Sequence, residues 1–213
     1  MSEILKNISN YYTQKIQQYG THPQGVDWKD ERSQLIRFNQ LLKVISKFGT
    51  ENFTLNDLGC GYGKLYDYIL EKKLELKVYN GYDLSDVMIK SAKNRSIDNS
   101  QCQFFQINKT ANLKEADYTV ASGIFNVKMG HTDQEWLDYI LETISIMAIK
   151  SKHGFAFNIL SSYSDEEFRQ KKLYYADPSF FFNHCKINFS RNVSLLHDYD
   201  LYEFTIIVKK VRK

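Results

Sequence analysis

The feature that most constrains the fold is a run of closely spaced glycines directly after a short apolar segment, within Leu55–Lys64. Phe53, Leu55 and Leu58 suit a buried strand, and the apolar residues that follow Lys64 recur at helical spacing. A strand, a glycine turn and a helix start in this order predict a binding site for an anionic ligand. Glycine allows the backbone to approach the ligand closely, and the helix N-terminus supplies free N–H groups at the positive end of its dipole.

The spacing of the glycines, at positions 59, 61 and 63, argues against two common nucleotide-binding motifs. The dinucleotide motif G-x-G-x-x-G requires a glycine at position 64, which is Lys64. A P-loop needs four residues between its glycines and a Ser or Thr after its lysine, and neither condition is met. The segment Asp57–Gly63 has the form D-x-G-x-G-x-G, and it resembles the first motif of the class I S-adenosylmethionine (SAM) dependent methyltransferases.

The order of the predicted elements favours an α/β fold. Helical patterns separate five predicted strands, which start at Phe53 and continue with Leu76–Asp83, Cys102–Ile107, Ala116–Ala121 and Phe155–Leu160. This alternation predicts a parallel sheet with right-handed crossovers. Two final strands, Val193–Leu196 and Tyr202–Lys209, are joined too briefly to be parallel, so they form an antiparallel hairpin.

The resemblance to the methyltransferases extends from Phe53 to Lys209. It implies a Rossmann-like, seven-stranded methyltransferase sheet, mostly parallel with a terminal antiparallel hairpin and with helices on both faces. Ahead of this core, predicted helices at Ser2–Tyr19 and Lys29–Phe48 flank a polar loop. We therefore expect residues 1–50 to form an N-terminal helical cap in the same domain as a methyltransferase core at residues 51–213, and the resemblance implies that this cap closes over the cofactor.

Composition restricts the class of protein and its partners. A chain of 213 residues suits one domain, and its net charge of +3 gives little support for a nucleic-acid partner. Cys60, Cys102 and Cys185 are an odd number without metal-binding spacing, so no metal site is predicted and free thiols in a reducing compartment are favoured. No apolar run is long enough for a membrane span. These features predict a cytoplasmic protein, as a monomer or a homodimer.

Candidate cofactor-binding residues follow from the rule that ligands of parallel α/β sheets bind at the carboxyl ends of the strands. The first strand delivers Asp57, Gly59, Cys60, Gly61 and Gly63, and the second delivers Asp83 and Leu84. Asp83 lies about 20 residues beyond the glycine turn, where an acid can accept hydrogen bonds from ribose hydroxyls.

For the remaining contacts, the resemblance implies further roles around the adenosyl group. Asp83 is expected to hold the ribose and Leu84 to pack on adenine. Asn108, at a position where many members carry an acid, is expected to accept a hydrogen bond from the adenine amine. Ser122 and Gly123 end the fourth strand beside the expected methyl group.

Two polar residues of the second predicted helix, Gln34 and Arg37, form a separate cofactor hypothesis. The guanidinium of Arg37 would pair bidentately with the methionine carboxylate of SAM. The alternative is that both residues lie on a solvent-exposed helix face.

The candidate catalytic residues are His197, His131 and His22. Methyl transfer from a sulfonium releases a neutral leaving group, so the enzyme mainly aligns the nucleophile and excludes water. A hydroxyl acceptor also has to lose its proton, and histidine is the usual base. A structural role is open for each of the three.

The function predicted first is SAM-dependent transfer of a methyl group to a small polar acceptor, through an oxygen nucleophile. The segments Gly25–Trp28, Gln34–Phe38 and Ser122–Asn126 resemble a bacterial subset associated with surface-sugar or secondary-metabolite tailoring. Ser122–Asn126 lacks the Pro-Pro-aromatic signature of adenine amino-methyltransferases, which argues against methylation of a nucleic-acid amine. Two alternatives stay open: an RNA or protein methyltransferase, and a catalytically inactive SAM-binding regulatory or partner subunit.

Overall fold

A computed structural model describes residues 3–45, 52–96 and 99–211 of the chain. Its strands are β1 (Phe53–Leu58), β2 (Leu76–Asp83), β3 (Cys102–Gln106), β4 (Ala116–Ala121), β5 (Ser151–Leu160), β6 (Asn192–Leu196) and β7 (Glu203–Lys209). Its α-helices are α1 (Glu3–Tyr19), α2 (Glu31–Leu42), α3 (Lys64–Glu71), α4 (Asp86–Arg95), α5 (Asp133–Lys150) and α6 (Pro178–Asn188).

The seven strands form one sheet in the order β3-β2-β1-β4-β5-β7-β6. Strands β1 to β5 pair in parallel, whereas β7 is antiparallel to both β5 and β6. The predicted fold class and its terminal hairpin are thereby confirmed. Strand β5 begins at Ser151, earlier than the predicted Phe155, because α5 runs into it without an intervening loop.

Each face of the sheet buries its own hydrophobic cluster. Phe155 and Phe157 of β5 pack on the side of α5 and α6, whereas Ala156 between them faces α2 and α3. Because successive side chains of a strand point to opposite faces, strands covered on both sides carry apolar residues at almost every position. Leu41 of α2 is fully buried in the second cluster, so α2 packs directly on the sheet.

Local capping explains where several helices begin. The Ser85 hydroxyl accepts a hydrogen bond from the Met88 N–H at the start of α4, as an N-cap serine does. Thr132 and Glu135, spaced as T-x-x-E, form a capping box at the start of α5. Pro178 is the first residue of α6, a position that suits proline because its missing N–H has no partner there.

The N-terminal segment differs in part from its prediction. The second predicted helix, Lys29–Phe48, is observed as Glu31–Leu42, and Phe48 and the expected boundary between residues 50 and 51 lie outside the described residues. Between α1 and α2 the chain folds back through a short 3-10 helix, Pro23–Val26. None of the helices within residues 3–45, 52–96 and 99–211 is long and apolar enough to cross a membrane.

Candidate functional site

The turn after β1 has a backbone that strongly favours glycine. Gly59, Gly61 and Gly63 have φ angles of 77°, 54° and 85°, in the region that L-residues with side chains rarely adopt. A Cβ at Gly59 would lie 2.1 Å from Cγ2 of Ile124, and the Gly59 N–H donates to the Tyr82 carbonyl at 2.7 Å. The turn is thus pressed between the ends of β2 and β4, with its backbone exposed to the space above the sheet.

Asp83, at the end of β2, holds this turn in place. Its Oδ2 accepts a hydrogen bond from the Gly61 N–H at 3.0 Å, and its Oδ1 accepts one from the Ser85 N–H at 2.9 Å. Burial raises the pKa of the Asp83 carboxyl, although these N–H groups act to lower it. Each carboxylate oxygen keeps a second lone pair, so Asp83 can still accept hydrogen bonds from the hydroxyls of a ligand.

Asp57, the other acid at this edge, lies at the bottom of the site with an exposed fraction of 2%. The Tyr79 hydroxyl donates a hydrogen bond to its Oδ2. Burial raises the pKa of Asp57 to about 7, against the effect of Tyr79 and with a smaller contribution from the charge of Asp83. Asp57 therefore exchanges its proton near neutral pH.

This raised pKa predicts a specific pH dependence of stability. The Asp57 carboxyl binds its proton more tightly in the folded chain, with a pKa of about 7, than at its ordinary value of 3.8. The stabilisation that results from this difference in pKa is therefore full below pH 4 and is lost as the pH rises through 7. By linkage, the stabilisation lost is about 4 kcal/mol. In urea unfolding, we expect the stability of the wild type relative to Asp57→Asn to fall from pH 4 to 7. If the difference in unfolding free energy between the wild type and Asp57→Asn did not change with pH, the raised pKa of Asp57 would be contradicted.

A cavity with about 900 Å³ of empty space, part of it open to solvent, lies above the turn. Its volume is within the range of ligand pockets. Of the predicted cofactor residues, the cavity wall contains Gln34, Asp57, Gly59, Cys60, Gly61, Asp83, Leu84, Ser122 and Gly123. The aromatic side chains of Tyr12 and Trp28 also belong to the wall. Further wall residues were not singled out from the sequence for this role: Leu5, Ile8, Val26, Phe38, Tyr62, Lys64, Ile107, Thr110, Ile124 and Tyr139.

The loop between α1 and α2 covers one side of the cavity and is anchored through Asp27. This residue has a φ angle of 61°, and its neighbours Val26 and Trp28 belong to the cavity wall. Its carboxylate accepts a hydrogen bond from the Tyr11 hydroxyl and lies 2.6 Å from Nζ of Lys15. The side chains of α1 therefore hold the covering loop in position.

Polar groups where α2 meets the start of α3 form another part of the wall. The Tyr62 hydroxyl donates to Oε1 of Gln34 at 3.4 Å, and Nζ of Lys64 lies 3.0 Å from a carboxylate oxygen of Glu31. Lys64 is the first residue of α3. Its position directly after the glycine turn is a signal by which the sequence alone could have marked it as a ligand contact.

The surroundings of Arg37 match neither the predicted clamp on the SAM carboxylate nor the alternative of a solvent-exposed helix face. It is buried, so the solvent-exposed alternative is wrong for this residue. Its Nε and Nη2 donate to the two carboxylate oxygens of Glu203 at 2.8 and 2.9 Å, and its Cζ lies 3.9 Å from the centre of the Trp28 ring. The bidentate face of the guanidinium is therefore engaged by Glu203, and Arg37 is not part of the cavity wall.

The structure brings none of the three candidate catalytic histidines to the cavity wall. His22 and His197 are exposed. The ring of His131 stacks on Trp136, and its Nε2 lies 3.5 Å from Nδ2 of Asn7. The geometry gives no support for these histidines as the base, because none of them faces the cavity.

Asn108 and Gly63 are also absent from the cavity wall. Asn108 is exposed, and the neighbouring Ile107 and Thr110 take its place on the wall. A Cβ at Gly63 would lie 3.2 Å from the Phe104 ring, so this glycine permits close packing beneath the turn. The segment after the third strand thus presents Ile107 and Thr110 to the cavity where the sequence predicted Asn108.

The site can be compared with known proteins. Residues 56–145 match the family described as "Methyltransferase domain". Over 158 residues the chain is 45% identical to Rv1506c, a protein of Mycobacterium tuberculosis that is named as a methyltransferase; the match covers 74% of this chain and 93% of that protein. The chain belongs to the class I SAM-dependent methyltransferases. Its methyl donor is accordingly SAM.

Solved structures share the fold of this methyltransferase at low sequence identity. The magnesium protoporphyrin IX methyltransferase of Synechocystis PCC 6803 with bound SAM has a TM-score of 0.68 at 14% identity, with 99% of each chain covered. The N-methyltransferase NodS of Bradyrhizobium japonicum WM9, in complex with S-adenosylhomocysteine (SAH), has a TM-score of 0.64 at 11% identity, with 97% of this chain and 100% of that chain covered. At this identity the likeness shows the fold alone.

The residues present fit this cofactor. A Cβ at Gly59 would clash with Ile124, so this position keeps bare backbone on the cavity wall, and the Asp83 carboxylate on the same wall has acceptor capacity left for a ligand. When bound, SAM supplies an electrophilic methyl group on a sulfonium centre. The chain's own residues would orient the two substrates, and α1 and the loop at Val26–Trp28 supply part of the cavity wall.

Proposed function

We propose that this methyltransferase methylates an oxygen nucleophile of a small polar acceptor. The observation that carries the proposal is the cavity itself, in which the glycine turn and Asp83 share one space with the covering residues Tyr12 and Trp28. A polymer has poor access to a methyl group held beneath such a cover. The protoporphyrin substrate in the name of the Synechocystis relative is likewise a small molecule.

Roles for individual residues follow from their positions on the wall. Asp83 accepts hydrogen bonds from the ribose hydroxyls, and Leu84 and Ile107 pack on adenine. The backbone at Gly59–Gly61 and the side chains of Gln34 and Lys64 lie toward the methionine portion. Residues 1–50 act as a helical cap on the core at residues 51–213.

The absence of histidine from the described cavity wall bears on the acceptor. Of the two carboxylates on that wall, Asp57 lies at the bottom of the site, 2% exposed and bonded by the Tyr79 hydroxyl, and Asp83 holds the glycine turn, so neither is placed to reach an acceptor hydroxyl. A hydroxyl with an ordinary high pKa would lack a base here. We therefore infer an acceptor oxygen that ionises without help near neutral pH, such as a carboxylate or an acidic phenol.

The test combines binding and transfer. Calorimetry with SAH should show binding, and tritiated methyl groups from SAM should appear on members of a panel of carboxylic acids and phenols. Transfer only to RNA or peptides would replace the small-molecule proposal with a polymer substrate. Binding of SAH without transfer to any member of a panel that also includes sugars, RNA and peptides would favour the inactive partner subunit.

A further inference from the structure

Two hydroxyl groups of α1 fix the position of this helix beside Asp83. The Ser9 hydroxyl donates to the Leu84 carbonyl at 3.2 Å, and Oγ1 of Thr13 forms a hydrogen bond of 2.7 Å with Oγ of Ser85. Leu84 and Ser85 directly follow Asp83 in the chain. Residues three and four apart share one side of a helix, so the turn from Ser9 to Thr13 runs along the segment after Asp83.

Tyr12, on the same side of α1, lines the cavity and packs against the small hydrophobic cluster that includes Met88. Val26 packs against this cluster as well. A Cβ at Gly61 would lie 3.0 Å from Cγ1 of Val26 and 4.0 Å from Sδ of Met88. The Gly61 N–H in turn donates to Asp83. Tyr12 therefore lies next to the part of the glycine turn that Asp83 holds.

The hydroxyl of Tyr12 is a free donor. Within the described parts of the chain no group forms a hydrogen bond with it, and it is not one of the buried polar atoms sealed from solvent. Burial raises the pKa of Tyr12 well above its usual range, with smaller contributions from Asp27, Tyr11, Asp83 and Tyr139. Because Asp83 and Tyr139 both line the cavity, their effect indicates that the hydroxyl lies toward that space and stays protonated there.

This donor complements the chemistry of Asp83. A carboxylate only accepts hydrogen bonds, whereas a ribose hydroxyl that donates to it keeps lone pairs on its own oxygen. A protonated phenol supplies a donor for such a lone pair. Tyr12 and Asp83 together therefore suit both the donor and the acceptor capacity of the same sugar.

The acceptor of the methyl group is expected at a different part of the cover. Ser122 and Gly123 end β4 beside the expected position of the methyl group. A Cβ at Gly123 would lie 2.1 Å from Cη2 of Trp28, so the Trp28 ring covers this end of the cavity. Tyr12 covers the end at Asp83, where the ribose is expected.

We propose that Tyr12 is a second ribose-binding residue, whose hydroxyl donates a hydrogen bond to a ribose oxygen of the cofactor. The inference rests on the proposed function, because it takes Asp83 as the residue that accepts from the ribose. It gives α1 a direct role in cofactor binding. The hydrogen bonds of Ser9 and Thr13 position Tyr12 for that role.

The probes are SAH and its 2′-deoxy and 3′-deoxy analogues, titrated into the full chain by calorimetry. Tyr12→Phe removes one hydroxyl and keeps the ring that lines the cavity. We expect this variant to bind SAH about fivefold more weakly, which corresponds to one neutral hydrogen bond. With one of the two analogues, variant and wild type should agree within about twofold, because the oxygen that accepts from Tyr12 is absent. A purely structural role of Tyr12 would weaken the binding of all three ligands alike.

Two further variants support the test. Tyr19→Phe removes the same hydroxyl from the same helix at a residue that is 41% exposed, and it should alter no affinity. Thr13→Val removes the hydrogen bond to Ser85 and should weaken SAH binding about threefold in the wild type. In the Tyr12→Phe background it should cause no further loss, because it acts through Tyr12. If Tyr12→Phe does not fold, the loss in Thr13→Val, present with SAH and absent with one analogue, decides the matter.

The outcomes separate this inference from the proposed function. Unchanged SAH affinity in Tyr12→Phe would overturn the inference. An equal loss for SAH and both analogues would also overturn it, since the hydroxyl would then not contact the ribose. Equal binding of all three ligands by the wild type would show that the ribose hydroxyls are not recognised, which would refute the role proposed for Asp83 as well.

Discussion

Replacement of Asp83 by alanine is expected to lower the affinity for SAH by about a hundredfold, or about 3 kcal/mol. The carboxylate organises the glycine turn through the Gly61 N–H and is proposed to accept hydrogen bonds from the ribose. The variant loses both contributions at once, because no other described side chain accepts the Gly61 N–H. Isothermal calorimetry on the purified wild type and variant measures the effect.

Two controls separate the contributions of Asp83. Asp83→Asn keeps the size of the side chain and one acceptor oxygen, so it should retain more SAH affinity than Asp83→Ala. Asp86→Ala removes a more exposed carboxylate, paired with Lys90 at 2.9 Å, and should leave SAH affinity unchanged. If Asp83→Ala bound SAH as tightly as the wild type, the assignment of the cofactor site would be refuted.

Replacement of Arg37 by alanine is expected to lower the free energy of unfolding by about 3–5 kcal/mol. Arg37 and Glu203 pair bidentately with exposed side-chain fractions of 9% and 2%. Removing the guanidinium leaves the Glu203 carboxylate buried without its counter-charge and removes the cation beneath the Trp28 ring. Urea unfolding monitored by circular dichroism measures the loss.

A double variant shows whether this loss comes from the unpaired charge. Arg37→Met combined with Glu203→Leu removes both charges, and it should recover most of the stability that Arg37→Ala loses. Arg95→Ala breaks the more exposed pair with Asp67 and should lower the free energy of unfolding by at most about 1 kcal/mol. Equal effects of Arg37→Ala and Arg95→Ala would contradict the buried-pair explanation. The SAH affinity of the folded double variant tests the predicted Arg37 clamp directly.

The backbone of the site was predictable because it depends on local chemistry and on topology. Positive φ at Gly59, Gly61 and Gly63 requires the spacing that the sequence displays. Parallel strands place their carboxyl ends at one edge, so Asp57, Asp83 and the Ser122–Gly123 turn had to meet there. The short connection before β7 likewise required an antiparallel hairpin.

The partners of the side chains were not predictable in the same way. Arg37 and Glu203 are 166 residues apart, and no local pattern links them. Similarly, a histidine near the end of a strand or the start of a helix has the same local signature whether it faces the cavity or solvent, and His197 is exposed.

The sequence by itself thus determined the class of fold, the glycine turn and the edge of the sheet where the cofactor is expected. Only the tertiary structure decided that Arg37 pairs with Glu203, that Lys64 and Tyr12 reach the cavity, and that the three candidate histidines do not. The physical reason is that turns and strands follow from neighbouring residues. The surroundings of a buried polar side chain, in contrast, depend on which distant elements pack against it.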